Sequence, residues 1–156
     1  MELTIKPIGF IETEFEEKSG IPIQSTFGKE YQGVINLFSE YSDGLKDLDQ
    51  ISHIYLLYHF HQHSDYNLVV RPYMDETPRG LFATRAPKRP SGIGLSIVEI
   101  IKIKENKIFF KGVDMLNKTP LLDIKPYVPD IDCHPHARSG WYDLVKNKKR
   151  VSDDRF

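Results

Sequence analysis

The chain has 156 residues, a length typical of a single domain with one core. Its hydrophobic fraction of 40% and charged fraction of 28% exclude the disordered and fibrous classes of protein. Because the formal net charge is −1, any binding of nucleic acid would depend on a local basic patch. Cys133 is the single cysteine, which excludes an intrachain disulfide.

The first part of the chain is predicted to form two strands separated by a long loop. Leu3–Glu12 and Tyr31–Phe38 contain the β-branched and aromatic residues that favour strands. Between them, Thr13–Lys29 is polar, contains two glycines and Pro22, and has no apolar periodicity. Loops of this length are often functional.

A short helix is predicted after the second strand. Leu45, Leu48 and Ile51 are spaced by three residues, and Ser42 or Asp43 could cap a helix ahead of them. We therefore expect one short helix in this part of the chain.

The middle of the chain is predicted to be mostly extended. Ile54–His61 is apolar nearly throughout, as expected of a buried strand. Asn67–Tyr73 and Leu81–Arg85 also have the composition of extended segments. Gly94–Lys104 is predicted to be a strand that turns at Glu105-Asn106 into the next one.

The pattern of elements predicts the fold class. About six to eight short strands, one or two short helices and no alternation of strand and helix favour a mainly β protein, a single-sheeted antiparallel β-barrel. We expect residues 1–137 to form the barrel domain and residues 138–156 to form a polar C-terminal tail, anchored by Trp141.

The location of the protein is inferred from what the sequence lacks. The N-terminus has no basic stretch leading into an apolar one. The longest aliphatic-aromatic stretch, Ile54–Tyr58, is far shorter than the roughly 20 residues of a membrane span. We therefore expect a cytoplasmic protein with no membrane role.

The most unusual segment is Arg79–Ser96, in which four cations lie close to two prolines and several glycines. Proline fixes φ and glycine lets the backbone approach a ligand closely. The segment therefore suits a rigid loop that presents Arg85, Lys88 and Arg89 to an anion, such as an acidic ligand or an RNA phosphate. A stiff surface loop with solvated charges explains the composition equally well.

A second segment, Gly112–Tyr127, places three reactive side chains at alternate positions. Asp123, Lys125 and Tyr127 would share one face of a strand. A carboxylate, an amine and a phenol together could accept or relay a proton from a substrate amine. An exposed ion pair beside a packed tyrosine fits the same spacing.

Together the two segments resemble the signature blocks of the TrmO or TsaA-like family. The strand at Ile8-Gly9, the loop Gly20–Gln24 and the strand at His59–His61 also correspond to family elements, so the resemblance covers residues 3–132. The two blocks consist of Phe82–Arg85, Pro87, Arg89-Pro90 and Ile93-Gly94, and of Thr119-Pro120 and Leu122–Tyr127.

The resemblance implies a β-barrel, commonly a homodimer, that binds S-adenosylmethionine. It would methylate the exocyclic amine of the threonylcarbamoyl-modified adenosine beside the tRNA anticodon, so its partner would be the tRNA anticodon loop. The cofactor contacts implied are Pro22, Ile23, Gln24, Phe60, His61, Arg85, Leu95, Asp114, Met115, Leu116 and Asn117.

The residue types agree with that chemistry. A methyl sulfonium with a terminal carboxylate needs an anion-binding group at one end, which Arg85 could supply, and an oxygen group near the cation, which Asp114 could supply. The candidate catalytic residues are Asp123 or Tyr127 as proton acceptor, with Lys125 beside them. The side chains expected to contact RNA are Lys88 and Arg89.

Two other functions fit parts of the sequence. His59, His61 and His63 alternate, and Cys133-His134-Pro-His136 adds further ligand types, which would suit a metal site in a cupin-like barrel. The chain could instead be a module that binds S-adenosylmethionine or another nucleotide without catalysis. A Rossmann-type methyltransferase is excluded, because no strand is followed by a glycine-rich turn and helix with an acidic residue about 20 positions later.

Overall fold

The computed structural model describes residues 2–148 and 150–156. Most of the regular structure in these residues is β, and the short helices lie in the connections. The strands are β1 (Gly9–Glu12), β2 (Gln32–Leu37), β3 (His53–His59), β4 (Val69–Val70), β5 (Arg79–Gly80), β6 (Ile93–Lys104), β7 (Lys107–Lys111) and β8 (Thr119–Pro126).

Six of these strands close into one antiparallel barrel. They pair in the order β1, β2, β7, β6, β3, β8, and β8 pairs back to β1. The remaining strands, β4 and β5, form a separate two-stranded ribbon. The predicted fold class, a single-sheeted antiparallel β-barrel, is confirmed.

The interior of the barrel is filled by alternate side chains of the strands. On β2, β3 and β7 the inward positions include Ile35, Ile54, Leu56, Ile108 and Phe110, all of them 0% exposed. Full burial of one such side chain stabilises a fold by roughly 1.5–3 kcal/mol, so this cluster holds the barrel together.

The helix predicted from Leu45, Leu48 and Ile51 differs from the one observed. The segment forms two 3₁₀ helices, Ser39–Leu45 and Leu48–Gln50, and Asp47 between them has a left-handed backbone with φ 65°. The predicted caps are wrong, because the first helix follows Phe38 and already includes Ser42 and Asp43. One short α-helix, α1 (Pro129–Asp132), follows the barrel, and Pro129 suits its first turn.

Two predicted strands are shorter than expected, and a third is absent. β1 begins at Gly9 and not at Leu3, and β4 covers two residues of the predicted Asn67–Tyr73. Leu81–Arg85 does not form a strand, because Leu81–Ala83 forms a 3₁₀ turn and the backbone becomes extended at Thr84. The Thr84 hydroxyl donates to the Leu81 carbonyl at 2.7 Å, and this local bond competes with an extended backbone.

The C-terminal residues return to the long first loop. Val151 forms an isolated antiparallel bridge with Pro22. The Ser152 amide donates to the Ile21 carbonyl at 2.7 Å, and the Ser152 hydroxyl accepts from the Ile21 amide at 2.9 Å and donates to the Lys18 carbonyl at 2.6 Å. Trp141, the expected anchor, donates from its indole N–H to the Ala83 carbonyl at 2.8 Å.

Within residues 2–148 and 150–156, no helix combines the length and the apolar character needed to cross a membrane.

Candidate functional site

A cleft of about 280 Å³, here called the inner cleft, lies between the first loop, the end of β3, the start of β6 and the segment that precedes β8. Ten of the eleven cofactor contacts implied by the sequence line this cleft. They are Pro22, Ile23, Gln24, Phe60, His61, Arg85, Leu95, Asp114, Met115 and Leu116.

The eleventh, Asn117, does not line the cleft. Its side-chain oxygen accepts from the Thr13 amide at 3.2 Å, and its amide donates to Glu16 at 2.7 Å. These contacts fasten the start of the long loop to the segment that carries Asp114, so the residue supports the cleft from outside.

Arg85 is one of three cations that line the inner cleft, with Lys18 and Arg89. Its guanidinium donates to the Gln24 side-chain oxygen at 2.6 Å, which fixes the side chain against the first loop. Among the described residues, Arg85 forms no ion pair with a carboxylate. Its charge is therefore available to an anionic group of a ligand.

A buried hydrogen-bonded chain reaches the cleft from inside the barrel. The Ser96 hydroxyl donates to Asp114 at 2.6 Å, and the Tyr58 hydroxyl lies 3.1 Å from the same Ser96 oxygen. Because the single Ser96 hydrogen points to Asp114, Tyr58 is the donor to Ser96. The three side chains hold the carboxylate in one orientation at the cleft wall.

Asp114 has an unusual protonation behaviour. Burial raises the pKa of this carboxyl to about 7, although Ser96, the Ser25 amide and the positive charge of Arg85 each favour the ionised form. Burial, with the charge of Asp114 nearby, also raises the pKa of Tyr58, which therefore stays a neutral donor. A cationic ligand in the cleft would favour ionised Asp114.

The position of Tyr58 depends on a glycine of the sequence motif. A Cβ added at Gly94 would lie 2.3 Å from a carbon of the Tyr58 ring. Only a residue without a side chain lets the two strands bring Tyr58 this close to β6. Gly94 therefore determines the position of the Tyr58 hydroxyl, which is hydrogen-bonded to Ser96.

The three alternating histidines do not share a strand face, because β3 ends at His59. Beyond it, burial lowers the pKa of His61 and, with the positive charges of Lys18 and Lys88, lowers the pKa of His63 to about 4. In the part of the chain that the structure describes, no three His, Cys, Asp or Glu side chains lie together in a way that could hold a metal ion.

The remaining walls of the inner cleft are mostly apolar. Phe60 packs edge-on against Tyr58 with ring centroids 5.4 Å apart, Leu95 is 46% exposed, and Met115 is buried. The cleft can therefore bind a molecule with an apolar or aromatic body, an anionic group near Arg85 and a cationic group near Asp114.

A second cleft of about 920 Å³, here called the outer cleft, adjoins the inner one. Arg85, Gln24 and Thr84 line both clefts and form part of the wall between them. Tyr127, a candidate for the proton acceptor, lines the outer cleft. Burial and the neighbouring Cys133 raise the pKa of Tyr127.

The other two candidate catalytic residues lie on the outer face of the barrel. The Lys125 amine is 2.8 Å from the Asp123 carboxylate, and both side chains are largely exposed. They line neither cleft. The pair matches the ion pair that the spacing also suggested, and its role in catalysis stays a prediction.

The two cations expected to contact RNA have partners within the protein. Lys88 pairs with Asp65 at 3.3 Å. Arg89 donates to the Thr84 carbonyl at 3.1 Å and to the Ala86 carbonyl at 3.4 Å, and it lines the inner cleft. Their contact with RNA stays a prediction.

Several residues of the site had not been singled out in the sequence. Ser96 is a polar residue at an inward position of β6, a signal that a buried polar contact was required. Ser152 and Phe156, near the C-terminal end, also line the cleft. Ser152 bonds to residues more than 130 positions earlier in the sequence, and no local sequence pattern reveals such a contact.

The closed barrel and the mostly apolar cleft lined by Arg85 and Asp114 define a small-molecule-binding β-barrel protein. A family model described as the tRNA-methyltransferase O N-terminal domain matches residues 10–133. The chain belongs to this family, and the resemblance drawn from its two sequence blocks is confirmed.

Individual relatives agree with this family. A Pyrococcus abyssi protein described as a probable S-adenosyl-L-methionine-binding protein is 46% identical, over 97% of this chain and 83% of its own. The tRNA (adenine(37)-N6)-methyltransferase of Rattus norvegicus is 34% identical, over 83% of this chain and 32% of its own. A crystal structure of TrmO from Pseudomonas aeruginosa matches with a TM-score of 0.77 and 38% identity, over 90% of this chain and 63% of that chain. The chain thus spans less than two thirds of the TrmO chain and about a third of the rat enzyme.

Proposed function

We propose that this chain is an S-adenosylmethionine-dependent methyltransferase that acts on the exocyclic amine of an adenosine beside the tRNA anticodon. The observation that carries the proposal is the inner cleft, where the implied cofactor contacts come together with Arg85 and Asp114. The Pyrococcus abyssi and rat relatives support it, since their names state S-adenosylmethionine binding and tRNA adenine methylation.

The residues of the inner cleft fit S-adenosylmethionine. Arg85, which pairs with no carboxylate among the described residues, suits the cofactor's carboxylate. Asp114, whose ionised form is favoured by a nearby cation, suits its positively charged part. Phe60 and Leu95 offer apolar surface to its adenine ring. When bound, the cofactor supplies a methyl group on a sulfonium sulfur.

The protein must align the amine of the substrate and remove a proton from it. The lone pair of an exocyclic adenine amine is delocalised, so alignment is the larger task. One N–H proton is released when the N–C bond forms, and we assign its acceptance or relay to Asp123 or Tyr127, with Lys125 beside them. Of these, Tyr127 lines the outer cleft, which Arg85 also lines.

The finer details of the substrate are proposed from the family resemblance of the sequence. The adenosine would carry the threonylcarbamoyl modification and would be presented by the anticodon loop, with Lys88 and Arg89 near the RNA. The protein would work in the cytoplasm, where a free, exposed Cys133 is stable.

A homodimer is part of the proposal. Ile93, Leu95, Ile97 and Ile101 lie on the outer face of β6, and each is between 37% and 46% exposed. The first three also line the clefts, so a contact between two copies along this row would border both clefts. A row of partly exposed apolar side chains on a strand suits a self-complementary contact between two copies. Light scattering of the purified protein would test this; a monomer at assay concentration would contradict it.

Methyl transfer from labelled S-adenosylmethionine to tRNA tests the proposal. We expect label in the adenosine beside the anticodon, loss of label with Arg85→Ala, and retention of label with Lys104→Ala, a cation that lines neither cleft. Threonylcarbamoyl-modified and unmodified tRNA should be compared in parallel. Tight cofactor binding without label in any tRNA would instead favour the non-catalytic binding module.

A further inference from the structure

The outer cleft is rich in aromatic side chains. It adjoins the inner cleft along a wall that includes Arg85, so a group bound in one cleft lies next to a group bound in the other. The aromatic residues that line it are Tyr73, Phe82, Tyr127, Trp141, Tyr142 and Phe156.

The charge of the outer cleft is positive. Its lining contains Lys29, Arg85 and Lys111, against the carboxylate of Glu99. Lys111 pairs with Glu99 at 3.1 Å, whereas Lys29 and Arg85 pair with no carboxylate among the described residues. Because Arg85 is assigned to the carboxylate of the cofactor, Lys29 is the positive charge that remains available to a phosphate in this cleft.

Phe82 is presented to solvent by a well-fixed turn. Its side chain is 76% exposed, although the preceding Leu81 is 1% exposed and anchors the turn. The Thr84 hydroxyl donates to the Leu81 carbonyl, and the Trp141 indole donates to the Ala83 carbonyl at 2.8 Å. The Arg89 guanidinium lies 6.0 Å from the centre of the Phe82 ring. An exposed aromatic ring held in this way is suited to stacking.

We infer that the outer cleft binds the unpaired target nucleotide of the RNA substrate, with Phe82 as the stacking surface for a base and Lys29 as a phosphate contact. The inference rests on the proposed function and adds the place where the nucleotide binds. Proteins read unpaired RNA by stacking bases on aromatic rings and pairing phosphates with cations, and this cleft combines both groups beside the cofactor cleft. Lys88 and Arg89, in contrast, already have partners in the protein.

The test uses the full chain with a synthetic anticodon stem-loop that carries a fluorescent adenine analogue beside the anticodon. We expect Phe82→Ala to weaken RNA binding by about 5- to 160-fold, which corresponds to the roughly 1–3 kcal/mol lost when one base loses its stacking partner. Lys29→Ala should also weaken binding and reduce its dependence on salt. Both variants should bind S-adenosylmethionine as the unmodified protein does, since neither residue lines the inner cleft.

The matched controls are Tyr66→Ala and Lys104→Ala, which remove an exposed aromatic ring and a cation outside both clefts. RNA binding that survives Phe82→Ala and Lys29→Ala, or that falls equally with the controls, would overturn the inference and leave the proposed function standing. A change of oligomeric state with Phe82→Ala, without a change in RNA affinity, would also overturn it, because the face would then bind protein. A chain that binds the cofactor but no RNA would overturn both.

Discussion

The Ser96 hydroxyl donates a hydrogen bond of 2.6 Å to the Asp114 carboxylate, and this bond joins β6 to the segment that lines the inner cleft. It holds in one orientation a carboxyl group whose pKa burial raises to about 7. The chemistry of the cleft therefore depends on pH in the neutral range.

The stability of the protein should fall as pH rises, because of Asp114. The pKa of this group is about 7 in the folded chain, against 3.8 for an unperturbed aspartate, so its contribution is fully present below the lower value and is lost as pH rises through the upper one. Since the side chain is partly exposed, we expect Asp114→Asn to be more stable than the unmodified protein above neutral pH by roughly 1–2 kcal/mol.

Urea denaturation in acid and in weak alkali measures this difference. Asp123→Asn is the matched control, since that carboxylate lies in an exposed ion pair. An Asp114→Asn variant with the same pH dependence of unfolding free energy as the unmodified protein would show that Asp114 ionises normally.

Cofactor affinity should rise with pH up to neutrality. Ionised Asp114 attracts a cationic ligand, so each pH unit below about 7 should weaken S-adenosylmethionine binding by up to about tenfold. His63, whose pKa is lowered to about 4, stays neutral over most of this range. Titration calorimetry at several pH values measures the slope, which Asp114→Asn should abolish; an equal slope in the variant would assign it to another group.

The hydrogen bonds of Ser152 should stabilise both the fold and the first loop. Ser152→Ala removes the contacts of its hydroxyl with Ile21 and Lys18, which should cost about 1–3 kcal/mol because the Ile21 amide loses its side-chain acceptor. Weaker cofactor binding should accompany this loss, since both partners line the inner cleft. Ser64→Ala, at an exposed position, is the control; equal melting temperatures of the two variants would contradict the role of Ser152.

Gly94 should not tolerate a side chain. Gly94→Ala brings a methyl group against the Tyr58 ring, and overpacking of this kind costs about 1–3 kcal/mol. Gly44→Ala is the matched control, because a Cβ there meets no atom within 4 Å. Thermal unfolding compares the two variants, and similar melting temperatures would show that the ring can move away without cost.

The barrel could be predicted because most of its strands are long enough for their β-branched and aromatic residues to be recognised in the sequence. β2, β3, β6 and β7 were all predicted near their observed positions. Leu81–Ala83 was predicted wrongly, since its residues suit a strand but the Thr84 hydroxyl stabilises a turn. A local side-chain bond of this kind has no periodic signature.

The charged residues of the candidate site could be predicted from the sequence, but the hydrogen bonds that hold the site in place could not. Arg85 and Asp114 followed from the resemblance together with the chemistry of the ligand. The contact of Ser96 with Asp114 and the return of Ser152 to the first loop depend on closure of the barrel and on the path of the C-terminal residues. Neither is a local property of the sequence.

β6 also shows why alternation alone misleads. Its apolar residues Ile93, Leu95 and Ile97 point outward, and Gly94 and Ser96 point inward. In most antiparallel strands, apolar residues point inward to the core and polar residues point outward to solvent. Here the inward positions make room for Tyr58 and bind Asp114, and the outward positions line the two clefts.

Titration calorimetry with S-adenosylmethionine, on the unmodified protein beside Arg85→Ala and Lys104→Ala, tests the central claim most directly. We predict micromolar binding by the unmodified protein and by Lys104→Ala, and loss of at least about tenfold in affinity with Arg85→Ala, which removes a charged hydrogen-bond donor from the inner cleft. No binding by the folded, unmodified protein at millimolar ligand would contradict the assignment of the inner cleft to this cofactor.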